Sequence, residues 1–127
     1  MTKVFYPNSS QHITAGPYAP VIGVKANADI FVISGQAPLN MQGEVVSDDF
    51  EEQSRLTLGN CLTQLNAAGC DFSNVFKATI YLTDLANWER FNVIYKEMIS
   101  GDYPARTAIG CFLLPGFQVE IEMWAAK

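Results

Sequence analysis

Two stretches of the chain have the apolar, β-branched composition of buried strands. Residues 29–37 read DIFVISGQA and precede Pro38, and residues 75–83 read VFKATIYLT and precede Asp84. Runs rich in Val, Ile, Phe, Tyr and Thr that end near Gly, Pro or Asp are typical of β-strands. The pattern therefore predicts one strand in each stretch.

The last part of the chain shows a strict alternation after the run RTAIGCFLL (106–114) and a Pro–Gly turn. Four apolar residues alternate there with four others: Phe117, Val119, Ile121 and Met123 with Gln118, Glu120, Glu122 and Trp124. Successive side chains of a strand point to opposite faces. Two more strands are predicted, the last with one apolar face and one face that bears two carboxylates.

Helical periodicity lies between the first two of these strands. Leu58, Leu62 and Leu65 recur at helical spacing, and Gly69 is the predicted C-terminal stop. Four acidic residues suit the start of this helix, where the helix dipole favours negative charge: Asp48, Asp49, Glu51 and Glu52.

A second helix is predicted over residues 85–99, with Asp84 as its N-cap. Four large side chains step by three or four residues and share one face: Trp88, Phe91, Tyr95 and Met98. This face is predicted to belong to the hydrophobic core rather than to a stacking platform for a ligand.

The order of these elements is strands, helix, strand, helix and two strands. It predicts an α+β fold in which one sheet carries both helices on a single face. The other face would then expose Glu120, Glu122 and Trp124. Because a sheet face with apolar side chains is rarely left to water, we expect self-association over it, with sites at subunit boundaries.

Composition describes an ordinary globular chain that fits one domain, residues 1–127. Of the 127 residues, 49% are hydrophobic and 17% are charged, as in typical folded domains. No apolar run approaches the roughly 20 residues of a membrane span, and the start MTKVFYPNSSQ lacks the apolar core of a secretory signal. A cytoplasmic location and no membrane association are expected.

The net charge and the Cys and His content argue against nucleic acid and metal ions as ligands. The net charge of -5 disfavours nucleic acid, whose phosphates require a basic surface. The cysteines Cys61, Cys70 and Cys111 are odd in number and lack CxxC spacing, which favours reduced residues with packing roles. His12 is the single histidine and has no nearby Cys or acidic cluster, so no metal is expected.

Arg106 is the cation that needs an explanation. In YPARTAIG (103–110) it stands between Pro104, which stiffens the approach, and a run that demands burial. A partly desolvated guanidinium needs an anion, and its planar fork suits a carboxylate. Two interpretations stay open: a structural ion pair with Glu120 or Glu122 on an adjacent strand, or a carboxylate of a ligand.

The two acids of the last strand have an equally open role. Glu120 and Glu122 share a face at roughly 6.5 to 7 Å along the strand, which fits a solvated face or an acid that positions water. Ser34 is no hydrolase nucleophile, since ISGQ does not match GxSxG and His12 lies in an unrelated segment.

Six blocks of this sequence resemble, in order, those of the RidA (YjgF) family. They cover nearly the whole chain: AGPYAP (15–20), FVISGQAPLN (31–40), AAGCDFSNVFKATIYLTDL (67–85), FNVIYKEM (91–98), YPARTAI (103–109) and VEIEMWA (119–125). The combination of YPAR with a following EIE is the most specific of them.

The resemblance implies a chorismate-mutase-like α+β subunit with one mixed β-sheet, assembled as a homotrimer with clefts between adjacent subunits. It implies a hydrolase of the 2-iminobutanoate/2-iminopropanoate deaminase type. Such an enzyme converts reactive 2-enamine or 2-imine acids, such as 2-aminoacrylate, to 2-oxo acids and ammonia. It uses no cofactor.

The resemblance also implies roles for individual residues. Arg106 matches the arginine that binds the substrate carboxylate, and Glu120, the first acid of EIE, matches the one that acts on water. Tyr18 in GPY, Ser34 in SGQ and Asn92 in FNVIY match residues that line the same cleft.

Other functions remain open at the level of sequence. The same cleft would serve a non-catalytic protein that binds or senses a carboxylate metabolite. It would also serve a catabolic deaminase of a larger enamine such as 2-aminomuconate. The nuclease activity attached to some relatives is disfavoured by the net charge of -5.

Overall fold

The computed structural model describes residues 2–12 and 16–127. Within them the elements follow the predicted order of strands and helices. Their bounds are β1 Val4–Phe5, β2 Gly23–Val24, β3 Ile30–Gln36, α1 Phe50–Ala67, β4 Val75–Leu82, α2 Trp88–Met98, β5 Ala105–Gly110 and β6 Val119–Ala126. Short 3₁₀ turns, Phe72–Asn74 and Leu85–Asn87, precede β4 and α2.

One mixed sheet forms the centre of the molecule. Its strand order is β3-β6-β4-β5, in which β6 runs antiparallel to both neighbours and β4 runs parallel to β5. The strands β1 and β2 form a separate antiparallel pair. Both helices pack on one face of the main sheet, so the predicted α+β class is confirmed.

The first helix lies in the predicted stretch and ends before Gly69, but it begins at Phe50, so Asp48 and Asp49 precede its first turn. The Asp49 side chain accepts a hydrogen bond from the Glu52 amide at 2.9 Å, which caps one of the free N–H groups of the first turn. Gly69 follows the helix with φ +72°, a conformation that a residue with a Cβ rarely adopts. The helix buries Leu58, Cys61 and Leu65 against the sheet.

Gly59 is a weak point inside α1. A Cβ at this position would have no described atom within 4 Å, apart from its own helix backbone. Gly59→Ala should therefore raise the free energy of unfolding by about 0.5 to 1 kcal/mol, because alanine loses less backbone entropy on entering a helix. Urea denaturation would show a higher midpoint with an unchanged slope. A lower midpoint would contradict this.

The second helix is shorter than the predicted range 85–99. The Asp84 side chain accepts from the Ala86 amide at 2.9 Å, so it caps the 3₁₀ turn and not α2. The residue before α2, Asn87, makes no capping bond with its side chain. Phe91 and Tyr95 are fully buried, as the core interpretation predicts.

Strand β6 has the two faces that its alternation predicts. Val119, Ile121 and Met123 are fully buried beneath the helices. We call the opposite side of the sheet the open face. It carries Glu120, Glu122 and Trp124 of β6 together with their partners on the neighbouring strands.

The open face is partly apolar in the single chain. Val32 is 57% exposed, and Trp124 and Ile109 are each 39% exposed. The Phe76 and Trp124 rings contact edge to face, with centroids 6.4 Å apart. A surface of this kind is typical of interfaces rather than of a permanently hydrated face. Among the described residues, neither helix is long and apolar enough to cross a membrane.

Candidate functional site

Arg106 lies on the helix side of the edge strand β5. It pairs in register with Ala78 of β4, which is fully buried under the helices, so the two side chains share that side of the sheet. The Cζ atom of the guanidinium lies over the Tyr95 ring of α2, 4.9 Å from the ring centroid. A cation at this distance is attracted by the negative face of the ring.

The segment from Gly16 onward lies close to the guanidinium. A Cβ at Gly16 would lie 2.8 Å from Nη2 of Arg106 and 3.1 Å from the Trp88 ring, so only glycine permits this approach. The Ala19 amide donates to the Pro104 carbonyl at 3.1 Å, which ties the segment to the start of β5.

The guanidinium is partly desolvated, and no carboxylate pairs with it among the described residues. Burial lowers the pKa of Arg106, and the nearby Tyr95 and Tyr18 partly offset that shift. An arginine nonetheless stays protonated in proteins. Both ion pairs among the described residues use other arginines, Arg55 with Glu97 and Arg90 with Glu51.

Three buried polar atoms near this position have no hydrogen-bond partner among the described residues. They are Nη1 of Arg106, the Tyr95 hydroxyl and Oδ1 of Asn92. Asn92 lies four residues after Trp88 and three residues before Tyr95, so the three side chains share one face of α2. The unpaired Nη1 donor of the cation suits an anion, whereas Oδ1 of Asn92 is an acceptor and needs a donor.

The structural ion pair considered for Arg106 is wrong. Strand β4 separates β5 from β6, so the two strands are not adjacent. Glu120 pairs with Tyr81 of β4 and therefore lies on the open face, opposite to Arg106. Within one chain the carboxylate and the guanidinium point to different sides of the sheet.

Glu120 lies against a bulge in β3. The register of β3 on β6 shifts between Ile33 and Gln36, which places the extra residue at Ser34 and Gly35. A Cβ on Gly35 would come within 2.8 Å of Oε2 of Glu120, so the carboxylate lies directly on the backbone of β3. Ser34 is exposed on this strand.

The structure distinguishes the two acids of β6. The Tyr81 hydroxyl donates to Oε1 of Glu122 at 2.5 Å, and this hydrogen bond is the largest cause of the raised pKa of Tyr81. No hydrogen bond to the Glu120 carboxylate is present among the described residues, and no resolved ion pair involves it. Glu122 is held by Tyr81, whereas Glu120 keeps its acceptor oxygens for another group.

Gly35→Ala should test the placement of the Glu120 carboxylate. The new methyl group would push that carboxylate aside, and a misplaced catalytic group costs about ten- to a hundredfold in rate. The atoms it meets are the far end of a flexible side chain, so the melting temperature should change little. Steady-state kcat and a thermal melt measure both effects. Gly59→Ala serves as the matched control and should leave kcat unchanged.

The predicted site residues fall into two groups in one chain. Arg106, Tyr18 and Asn92 belong to the helix side and its edge, and Glu120 and Ser34 belong to the open face. The contacts of Gly16, Trp88, Tyr95 and Gly35 were not predicted as part of the site. The sequence could have indicated Trp88 and Tyr95, because helical spacing puts them on the same face as the predicted site residue Asn92.

A cavity of about 390 Å³ lies beside β5. Tyr18, Ile22, Phe76, Lys77, Arg106 and Thr107 are among the residues that line it. This volume is at the small end of the range for ligand pockets. No group of three or more His, Cys, Asp or Glu side chains that could hold a metal occurs in residues 2–12 and 16–127.

The fold is that of a known class of small α+β proteins. A family model described as Endoribonuclease L-PSP matches residues 9–127. The chain therefore belongs to this family, the RidA (YjgF) family, as its sequence blocks predict.

Individual relatives carry different names. The human protein named 2-iminobutanoate/2-iminopropanoate deaminase is 38% identical over 114 residues, which are 88% of this chain and 81% of that protein. A Lactococcus lactis protein named "Putative regulator AldR" is 38% identical over 112 residues, 87% of this chain and 86% of that one. The crystal structure of E. coli TdcF with bound serine matches with a TM-score of 0.71 and 32% identity, over 90% of this chain and 91% of that one. The relatives thus support the family function and leave the particular activity to be tested.

Proposed function

We propose that this protein hydrolyses reactive 2-enamine and 2-imine carboxylic acids, such as 2-iminopropanoate and 2-iminobutanoate, to 2-oxo acids and ammonia. The observation that carries the proposal is the Arg106 guanidinium, which is partly desolvated, lies over the Tyr95 ring and has no carboxylate partner among the described residues. The relative named 2-iminobutanoate/2-iminopropanoate deaminase supports the same activity.

We propose that the complete site forms between two copies of the chain in a homotrimer. Arg106 and Glu120 lie on opposite sides of the sheet, so one chain does not present both to one small substrate. The apolar open face, with Val32 and Trp124, supplies a surface for the neighbouring copy. Arg106, Tyr18 and Asn92 would come from one copy, and Glu120 and Ser34 from the next.

The reaction needs positioning and one base. Arg106 holds the substrate carboxylate through paired N–H donors, which fixes the imine carbon. Glu120 of the neighbouring copy orients a water molecule and accepts its proton as the oxygen bonds to that carbon. That proton passes to the nitrogen and gives a carbinolamine. Glu120 then moves the hydroxyl proton of this adduct to the amine, the C–N bond breaks, and ammonia leaves as the carbonyl of the 2-oxo acid forms. An imine carbon is already electrophilic, so the barrier to be lowered is small.

A coupled product assay tests this proposal. A dehydratase would generate 2-aminoacrylate in situ, and 2-oxo acid release would be followed with and without the protein. We expect catalytic acceleration, with many turnovers per chain. Enamine acids of increasing size, up to 2-aminomuconate, would define the range of substrate sizes that the site accepts. No acceleration with any of them would overturn the enzymatic proposal.

The second candidate is a carboxylate-binding regulatory protein, favoured by the regulator name of the relative AldR. It would use the same Arg106 and differ only in turnover. Consumption of substrate that stops at one equivalent per site would support this candidate. We propose no nucleic-acid partner, which the net charge of -5 supports. The cytoplasmic location stays a prediction.

A further inference from the structure

The ring beneath Arg106 is held firmly in the core. Tyr95 is fully buried in α2. Its ring contacts that of Phe91, with centroids 5.7 Å apart, and stacks on that of Tyr103, with centroids 6.2 Å apart and planes inclined by 25°. Packed rings of this kind have little freedom to move. The surface on which the guanidinium rests is therefore rigid.

The nature of this support determines what Arg106 can bind. A carboxylate partner would neutralise the guanidinium and occupy its in-plane N–H groups. An aromatic ring attracts the cation through its face and leaves those N–H groups to other acceptors. Nη1 of Arg106 has no hydrogen-bond partner among the described residues, as this arrangement requires.

The backbone at Gly16 also contacts the guanidinium and limits its movement. A Cβ there would meet Nη2 of Arg106 at 2.8 Å and the Trp88 ring at 3.1 Å. The guanidinium thus has a ring of α2 as its platform and a glycine backbone as its close neighbour. Both contacts belong to a single chain and need no ligand.

We propose that Tyr95 is a positioning residue: its ring, in place of an acidic side chain, holds Arg106 so that the guanidinium N–H groups are available to a carboxylate ligand. The identity of that carboxylate rests on the proposed function. The stack itself is a property of the chain without ligand. Tyr95 acts through Arg106 and does not touch the reacting atoms.

Ligand affinity provides the first test, with pyruvate as the probe and the oligomer as it exists in solution. Tyr95→Leu should raise the dissociation constant of pyruvate by about tenfold, the loss expected for a desolvated cation–π contact. Tyr95→Phe keeps the ring and should recover most of the affinity. The matched control is Phe50→Leu, which removes a buried ring of α1 that lies under Arg90 instead of Arg106; it should lower the melting temperature without changing the dissociation constant.

The Arg106 side chain itself provides the second test. In ligand-free protein the ring current of Tyr95 should shift the Arg106 Nε–Hε proton signal upfield, with the signal assigned by its loss in Arg106→Lys. The upfield shift should vanish in Tyr95→Leu and persist in Phe50→Leu. Should Tyr95→Leu not fold, Gly16→Ala replaces it, because its methyl group would move the guanidinium off the Tyr95 ring. The same methyl group would lie 3.1 Å from the Trp88 ring, so a small fall in melting temperature is expected together with weaker pyruvate binding and a smaller upfield shift.

Three results would overturn the inference. The first is an equal loss of pyruvate affinity in Tyr95→Leu and Phe50→Leu, which would make Tyr95 a packing residue only. The second is an Arg106 signal that is indifferent to the Tyr95 ring, and the third is wild-type protein that binds no pyruvate. Failure of the proposed function would look different: the ring-shifted signal and pyruvate binding would be present, and no imine would be hydrolysed.

Discussion

Arg106→Ala should abolish imine hydrolysis, with kcat/KM lowered by at least about a hundredfold, because the charge-assisted hydrogen bonds to the substrate carboxylate disappear. The fold should survive. Arg106 forms no ion pair with the described residues, so its removal leaves no buried carboxylate without a counter-charge. Release of 2-oxo acid from enamine generated in situ measures the activity, and sedimentation measures the assembly.

Two other arginine substitutions make the result specific. Arg55→Ala removes a cation whose ion pair with Glu97 is about half exposed, and it should leave the activity unchanged. Arg106→Lys keeps the charge but loses the planar fork, so partial activity with a raised KM is expected. Unchanged turnover in Arg106→Ala would contradict the assignment of the substrate carboxylate to this residue.

Mixed oligomers should recover activity that neither parent has. Glu120→Gln removes the proposed base and should lower kcat by about a hundredfold or more. If each site takes Arg106 from one copy and Glu120 from the next, an equal mixture with Arg106→Ala contains intact sites. Random assembly makes about a quarter of the interfaces complete, so about a quarter of wild-type activity is expected. The two variants would be unfolded together, refolded and assayed.

The control for this experiment is the same mixture without subunit exchange. Parents that are refolded separately and then combined should stay inactive for as long as the oligomers do not exchange subunits. Glu122→Gln supplies a second comparison, because Glu122 accepts from Tyr81 and its loss should affect the sheet more than the chemistry. Recovery near zero after co-refolding would show that Arg106 and Glu120 do not meet across an interface.

Local sequence patterns were sufficient for most of the secondary structure. Helical spacing, the acidic start and Gly69 predicted α1 within a few residues, because helix-end preferences and backbone conformation are local effects. The prediction was less accurate at Asp84, which caps a 3₁₀ turn rather than α2. Both kinds of cap require the same side chain and the same free N–H groups, so sequence alone does not separate them.

The sequence singled out candidate site residues but did not give their geometry. Arg106 and Glu120 stood out through their local context and the family blocks. The ring beneath the guanidinium was assigned to the core alone, although Tyr95 serves both the core and the arginine. A residue pattern marks a helix face as apolar without showing which polar group from another element reaches it.

The sequence by itself determined the elements, the two faces of β6 and the membership of the family. Alternation along one strand decides which of its side chains share a face, since that depends only on the backbone pleat. Only the tertiary structure decided that Arg106 and Glu120 lie on opposite sides of the sheet, because β4 lies between β5 and β6. Strand order and register arise from pairing between segments far apart in the chain, and a one-residue shift exchanges the faces of a whole strand.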